Sequence, residues 1–196
     1  MKSLIVLFSG NGSNLEALAK NLHNKYFKDA HNNSIKVQIS LCVSDNAKAY
    51  GLMRCKALGL NHQVLEYHHF TSRIFYEQAL LKILESYACD LIILAGFMRI
   101  LSGYFLKEKV CLNIHPSLLP LYKGLHALER SFKGAECYAG VSVHYVNEEL
   151  DSGEIILQKS FQKSAFKTLE DFKKQVHAIE HRLYSQAVLK VLGLHA

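Results

Sequence analysis

The chain has 196 residues, 49% of them apolar and 20% charged, and a formal net charge of +6. This is the profile of an ordinary soluble globular protein: a chain of this length buries roughly 70% of its unfolded surface and needs no disulfide or metal to hold a core. No stretch approaches the ~20 apolar residues of a membrane span, and the basic residues are dispersed rather than clustered among aromatics, which argues against both membrane and nucleic-acid partners.

The opening run Leu4 to Phe8 is too short for the apolar core of a secretory signal. The five cysteines (Cys42, Cys55, Cys89, Cys111 and Cys137) are odd in number and contain no C-x-x-C pair. Four lie in apolar surroundings, so reduced, buried thiols and a cytoplasmic location are expected.

Residues 2–8 form a continuous apolar run, as in a strand buried on both faces of a parallel sheet. The loop Ser9-Gly10-Asn11-Gly12-Ser13-Asn14 follows, and Leu15, Leu18, Ala19 and Leu22 then recur at helical spacing. The polar stretch around Asp29 reads as a loop. Ile35, Val37, Ile39, Leu41 and Val43 alternate as a second strand, and Ser44-Asp45-Asn46 reads as a turn and cap for a helix over about 47–58. A short strand near 62–65, a helix from Thr71 to about Tyr87 and a strand over Asp90–Ala95 come next. A loop or short helix then leads into a strand at Val110–His115.

This alternation predicts an α/β fold: an open, mostly parallel twisted sheet with helices on both faces. The rhythm then changes. Gly140–Val146 and Glu154–Phe161 read as an antiparallel pair joined by a polar turn. Thr168–Leu192 reads as one long helix with a Thr168/Asp171 capping box and a stripe of Leu169, Phe172, Val176, Ile179, Leu183 and Ala187. No repeat or linker divides the chain, so one domain over 1–196 is expected.

Three motifs carry chemistry. In Leu112-Asn113-Ile114-His115-Pro116, strand alternation puts Asn113 and His115 on one face, and Pro116 keeps His115 extended and closes the strand. A carboxamide and an imidazole are thus offered together at a strand end, and Asp151 in the polar turn is a candidate to orient or charge the imidazole. The Gly10–Asn14 loop opens a helix, where free amides and the helix dipole suit a phosphate. It lacks the third glycine of a dinucleotide fingerprint and the Walker lysine. Finally, His177-Ala178-Ile179-Glu180-His181 matches a zinc-peptidase pattern, but no Asp or Glu follows Glu180 to complete a zinc site, so a metal is not expected.

Taken together, SGNGSN (9–14), LAGFMRIL (94–101), NIHPSLLP (113–120), GVSVHYVNEELDSG (140–153) and HAIEH (177–181) closely resemble the folate-dependent phosphoribosylglycinamide formyltransferases of purine biosynthesis. The resemblance implies the formyltransferase fold, with a substrate-phosphate half over about 1–100 and a folate-binding, catalytic half over about 101–196. It implies 10-formyltetrahydrofolate as co-substrate, 5'-phosphoribosylglycinamide as acceptor, no nucleic-acid or membrane partner, and a monomer or homodimer.

Carried over position by position, Asn113, His115 and Asp151 are the catalytic trio. Gly12, Ser13, Asn14, His177, Ala178, Ile179 and Glu180 bind the acceptor. Arg73, Met98, Arg99, Ile100, Leu101, Asn113, Asn147, Glu148, Glu149, Leu150 and Asp151 bind the folate, Arg73 at its acidic tail. Glu154 and Lys123 stand where relatives often carry proline. A hydrolase that releases formate from 10-formyltetrahydrofolate is expected to carry an extra N-terminal domain and a methionyl-tRNA formyltransferase an extra C-terminal one. A non-enzymatic phosphate-binding module would leave the trio without a purpose.

Overall fold

The computed structural model describes Met1–His195; the expected domain reaches Ala196, which lies outside the described residues. The chain runs β1 (Lys2–Phe8), α1 (Ser13–Leu22), β2 (Lys25–Asp29), β3 (Ser34–Ser44), α2 (Gly51–Ala57), β4 (His62–Val64), α3 (Arg73–Leu84) and β5 (Leu91–Leu94). It continues through α4 (Gly103–Glu108), β6 (Cys111–His115), α5 (Ala127–Lys133), β7 (Tyr138–Tyr145), β8 (Ile155–Gln162), α6 (Leu169–Val191) and β9 (Leu194–His195).

All of these strands join one sheet in the order β8-β7-β6-β5-β1-β3-β2-β9, with β4 beside the far end of β3. The pairs β1–β3, β1–β5, β5–β6 and β3–β4 are parallel, and β6–β7 and β7–β8 are antiparallel. The expected fold class is therefore present.

The apolar run of β1 is explained by its central place, because both its faces are covered. Leu4, Val6 and Phe8 join Leu15 and Leu18 of α1 and Val176 and Tyr184 of α6 in one core. Ile5 and Leu7 join Tyr76 and Leu80 of α3 and Phe105 of α4 in the other. Each such side chain contributes about 1.5–3 kcal/mol on burial. At the start of α6 the Thr168 hydroxyl accepts from the Asp171 amide at 3.1 Å, the expected cap. Fully buried Tyr184 donates its hydroxyl to the Leu94 and Leu112 carbonyls, each at 2.9 Å, and so ties α6 to the strand ends that carry the site.

The structure departs from the sequence reading at three places. Lys25–Asp29 is a strand rather than part of a loop; its partly exposed residues carry no apolar alternation, and pairing with β3 on one side and the short β9 on the other holds it extended. Asp29 ends that strand and organises the turn by accepting from the His31 and Asn33 amides at 2.9 and 2.8 Å. Helix α2 starts later than expected, at Gly51, and without a side-chain cap: Tyr50 holds the cap position, Ser44 and Asn46 make only the turn, and the Asp45 carboxylate binds Arg99. Helix α5, with no expected signal, is pinned from outside by Glu129 to Lys173 at 3.0 Å and by Phe132 against Phe172.

Of the cysteines, Cys42, Cys55 and Cys111 are buried, Cys89 is half-buried and Cys137 is exposed, all as free thiols. No helix among the described residues is long and apolar enough to cross a membrane.

Candidate active site

The loop after β1 turns through Gly12, whose φ of +76° favours glycine. A Cβ there would lie 2.7 Å from Gly51 Cα, so the loop is pressed against the start of α2. Arg54 of α2 secures the same loop, donating to the Asn11 carbonyl at 2.9 Å and to Asn11 Oδ1 at 3.0 Å.

Across from it stands α6. Asn14 Nδ2 lies 3.4 Å from Glu180 Oε2, and the same oxygen is 2.9 Å from His177 Nδ1. Glu180 is buried, and its hydrogen bond to His177 raises that imidazole's pKa, against the opposing effect of burial. Burial lowers the pKa of His181. Asn14 Oδ1 and His181 Nε2 are both buried and have no hydrogen-bond partner among the described residues.

Residues 12–14 and 177–180, far apart in sequence, are thus brought together, although not every member faces the loop. Ala178 is exposed and Ile179 packs into the core; helical spacing presents His177, Glu180 and His181 instead. The Glu180 carboxylate is committed to Asn14 and His177.

A second constellation sits at the ends of β6 and β7. Asn113 and His115 share a face, and Asp151 reaches both: Asn113 Nδ2 is 3.3 Å from Asp151 Oδ1, and His115 Nδ1 is 3.3 Å from Oδ2. Asp151 has a φ of +48° in a turn that closes on Gly153, where a Cβ would fall 1.7 Å from the Tyr145 carbonyl oxygen. The Gly124 amide donates to Asp151 Oδ2 at 2.8 Å. Burial alone would push the Asp151 carboxyl up, but nearby His144, the hydrogen bond from the Gly124 amide and the His115 imidazole outweigh it and hold the pKa below the usual carboxylate range. The acid is therefore an anion tucked into the strand ends, not a solvated turn residue.

The sequence reading missed His144. It faces Asn113 across the β6–β7 ladder, with Nε2 3.3 Å from Asn113 Nδ2 and 3.6 Å from Asp151 Oδ1. Its Nδ1 meets the Tyr145 carbonyl at 2.7 Å, so a proton there leaves Nε2 free to accept from Asn113. Flanked by Val143 and Tyr145, it reads in sequence as a core position; only the register of the strands reveals its partner.

Reading missed the Tyr122 carbonyl as well, which lies 2.9 Å from His115 Nε2. The two hydrogens of Asn113 Nδ2 are aimed at Asp151 and His144, and both nitrogens of His115 face oxygens. The constellation is closed on itself.

Beside it opens a cleft lined by Arg99, Ile100, Leu101, Asn113, Asn147, Glu149, Leu150 and Asp151, with His144 and apolar Leu94, Phe97 and Val146. Eight of the expected folate positions therefore share one cleft. Met98, Glu148 and Arg73 do not line it: Met98 is exposed, with its amide held by Ser9 Oγ at 2.8 Å; the Glu148 carboxylate lies over Gly103; and Arg73 opens α3 as an exposed side chain.

A family model described as formyl transferase matches residues 2–188. The chain belongs to the formyl transferase family. Among relatives, the phosphoribosylglycinamide formyltransferase of Escherichia coli (strain K12) is 38% identical over 93% of this chain and 83% of its own. That of Bacillus subtilis (strain 168) is 34% identical over 100% of this chain and 97% of its own. The crystal structure of the phosphoribosylglycinamide formyltransferase of Campylobacter jejuni subsp. jejuni superposes with a TM-score of 0.91 at 40% identity, covering 97% of each chain. Family membership gives the cleft and the trio a common context: an acyl transfer needs donors for a developing oxyanion and a group to move a proton.

Proposed function

We propose that the chain transfers the formyl group of 10-formyltetrahydrofolate to the amine of 5'-phosphoribosylglycinamide, giving the formylglycinamide ribonucleotide and tetrahydrofolate. The observation that carries this reading is the convergence of Asn113, His115 and Asp151 beside the cleft in a chain of this family. The substrate phosphate binds at Gly12, Ser13 and Asn14, where the start of α1 offers free amides, and His177 and Glu180 approach from α6. The folate lies in the cleft against Arg99, Ile100, Leu101 and the Asn147–Asp151 turn.

The amine nitrogen attacks the formyl carbon, and its lone pair forms the new C–N bond as the carbonyl pair moves onto oxygen. Asn113 and His115 donate to that oxygen. Both donors are internally engaged, so the substrate oxygen displaces an existing acceptor: Asp151 or His144 at Asn113, the Tyr122 carbonyl at His115. Asp151 stays ionised and holds the His115 proton while the amine proton passes to the leaving folate nitrogen. The intermediate collapses as the bond from carbon to that nitrogen breaks. The chain works as one domain in the cytoplasm, a setting that its free thiols suit.

Deformylation of 10-formyltetrahydrofolate, followed by absorbance with and without phosphoribosylglycinamide, tests the reading. Turnover that requires the amine is expected. Equal turnover without it would make the protein a hydrolase, and none in either case would leave a binding module.

A further inference from the structure

The cleft segment 97–102 is anchored from beneath by two buried carboxylates that the chemistry above does not use. Asp45, directly after β3, has a fully buried side chain, and its Oδ2 accepts from Arg99 Nε at 2.5 Å. The Arg99 guanidinium lies 4.5 Å over the Tyr67 ring, which packs on Tyr76 at 5.1 Å between centroids. Tyr76, also buried, borders the same site: burial first, and then the charge of Asp45, push its phenol pKa up. Next to Tyr76 in α3, buried Glu77 accepts from the amide of Ser102, three residues past Arg99, at 2.7 Å and from the Ser102 hydroxyl. Between these anchors, Arg99, Ile100 and Leu101 face the cleft.

We propose that Asp45 is a positioning residue for folate binding: through Arg99 it fixes the 97–102 wall of the cleft, together with Glu77 at its far end. The inference rests on the cleft being the folate site. A carboxylate withdrawn from water is costly unless paired, and it would be wasted as a helix cap that α2 does not use. Paired with a planar guanidinium stacked on an aromatic ring, it fixes both the direction and the plane of Arg99. The effect is confined to one wall: Asp45 makes no hydrogen bond to the Gly12–Asn14 loop or to the trio.

Three measurements on Asp45→Asn test this. Hydrogen exchange in the ligand-free protein reads the wall itself and needs no activity; the amides of 98–102 are expected to exchange faster than in wild type while those of β1 do not change. Calorimetry is expected to give a weaker Kd for 10-formyltetrahydrofolate, by about tenfold. Steady-state kinetics should show the matching rise in KM for the folate, with kcat and the KM for phosphoribosylglycinamide within about twofold. In a cycle with Arg99→Lys, the double variant should bind the folate no worse than the weaker single variant.

Wild-type folate affinity in Asp45→Asn, faster exchange without weaker binding, weaker binding without faster exchange, or additive losses in the cycle would each overturn the proposal. So would a loss that falls equally on kcat and both KM values, since that marks general destabilisation. Absence of folate binding by the wild-type protein would instead overturn the assignment of the cleft, and the exchange data would still show whether Asp45 holds the wall.

Discussion

The two ends of the proposed site, one for the phosphate and one for the reaction, are built on opposite plans. At the phosphate end, α1 and α6 meet through Asn14, Glu180 and His177, and two buried polar atoms, Asn14 Oδ1 and His181 Nε2, are left without partners. At the reacting end, Asn113, His115, His144 and Asp151 satisfy one another and the Tyr122 and Tyr145 carbonyls. The first end has capacity to spare for a ligand; the second must exchange a bond for every bond it gives. Buried polar groups cost free energy when unpaired, so a site that waits with unpaired polar atoms is less stable and one that waits closed is slower to open.

The largest test of that contrast lies at the closed end. Asn113→Ala and Asp151→Asn are each expected to lose at least about a hundredfold in kcat while still binding both substrates, because the first removes a proposed donor to the intermediate's oxygen and the second the charge that holds the His115 proton. Near-normal turnover in both variants would remove the trio from the chemistry.

The next test compares two glycines. Gly153→Ala places a Cβ 1.7 Å from the Tyr145 carbonyl oxygen, in the turn that carries Asp151. It is expected to cost about 1–3 kcal/mol in a denaturant titration, with kcat falling most. Gly12→Ala strains a residue at φ +76° beside Gly51 and should raise the KM for phosphoribosylglycinamide, by about tenfold, more than that for the folate. If both variants failed in the same kinetic parameter, the two ends would not be separate.

The smallest effect is one of pH. The folded-state pKa of His177 is raised above 6.5 by Glu180, so the folded protein holds that proton more tightly than the unfolded chain. The pair's contribution to stability is therefore complete below pH 6.5 and is lost as pH rises through the raised folded value. Glu180→Gln should flatten this part of a stability profile measured by chemical denaturation across that range. An unchanged slope would show that the pair does not couple to folding.

How much of this was legible in advance can be judged from individual residues. Strand alternation was enough to put Asn113 and His115 on one face, and the glycine loop before an apolar-periodic segment was enough to place a helix there, although α1 begins at Ser13, within the stretch read as loop. His144 was not legible, because its chemistry depends on lying opposite Asn113 in an antiparallel register set by residues elsewhere in the chain. Ser44-Asp45-Asn46 makes the expected turn but not the cap, and a local hydrogen-bonding preference cannot anticipate the guanidinium that reaches Asp45 from the loop after β5. Strand β2 and helix α5 escaped for a related reason: neither has a pattern of its own, and each is held by its neighbours.

By itself, then, the sequence determined the alternation of buried strands and helices, the residue types at the two ends of the site, and through its motifs the family. These follow from period, turn chemistry and composition, which act over a few residues. Tertiary structure decided which groups meet: Asn14 with Glu180, Asp151 with both members of the strand pair, Asp45 with Arg99, and the Tyr122 carbonyl with the imidazole it occupies. Hydrogen bonds and ion pairs act only at contact distance, and that distance is set by sheet register and helix docking rather than by separation along the chain.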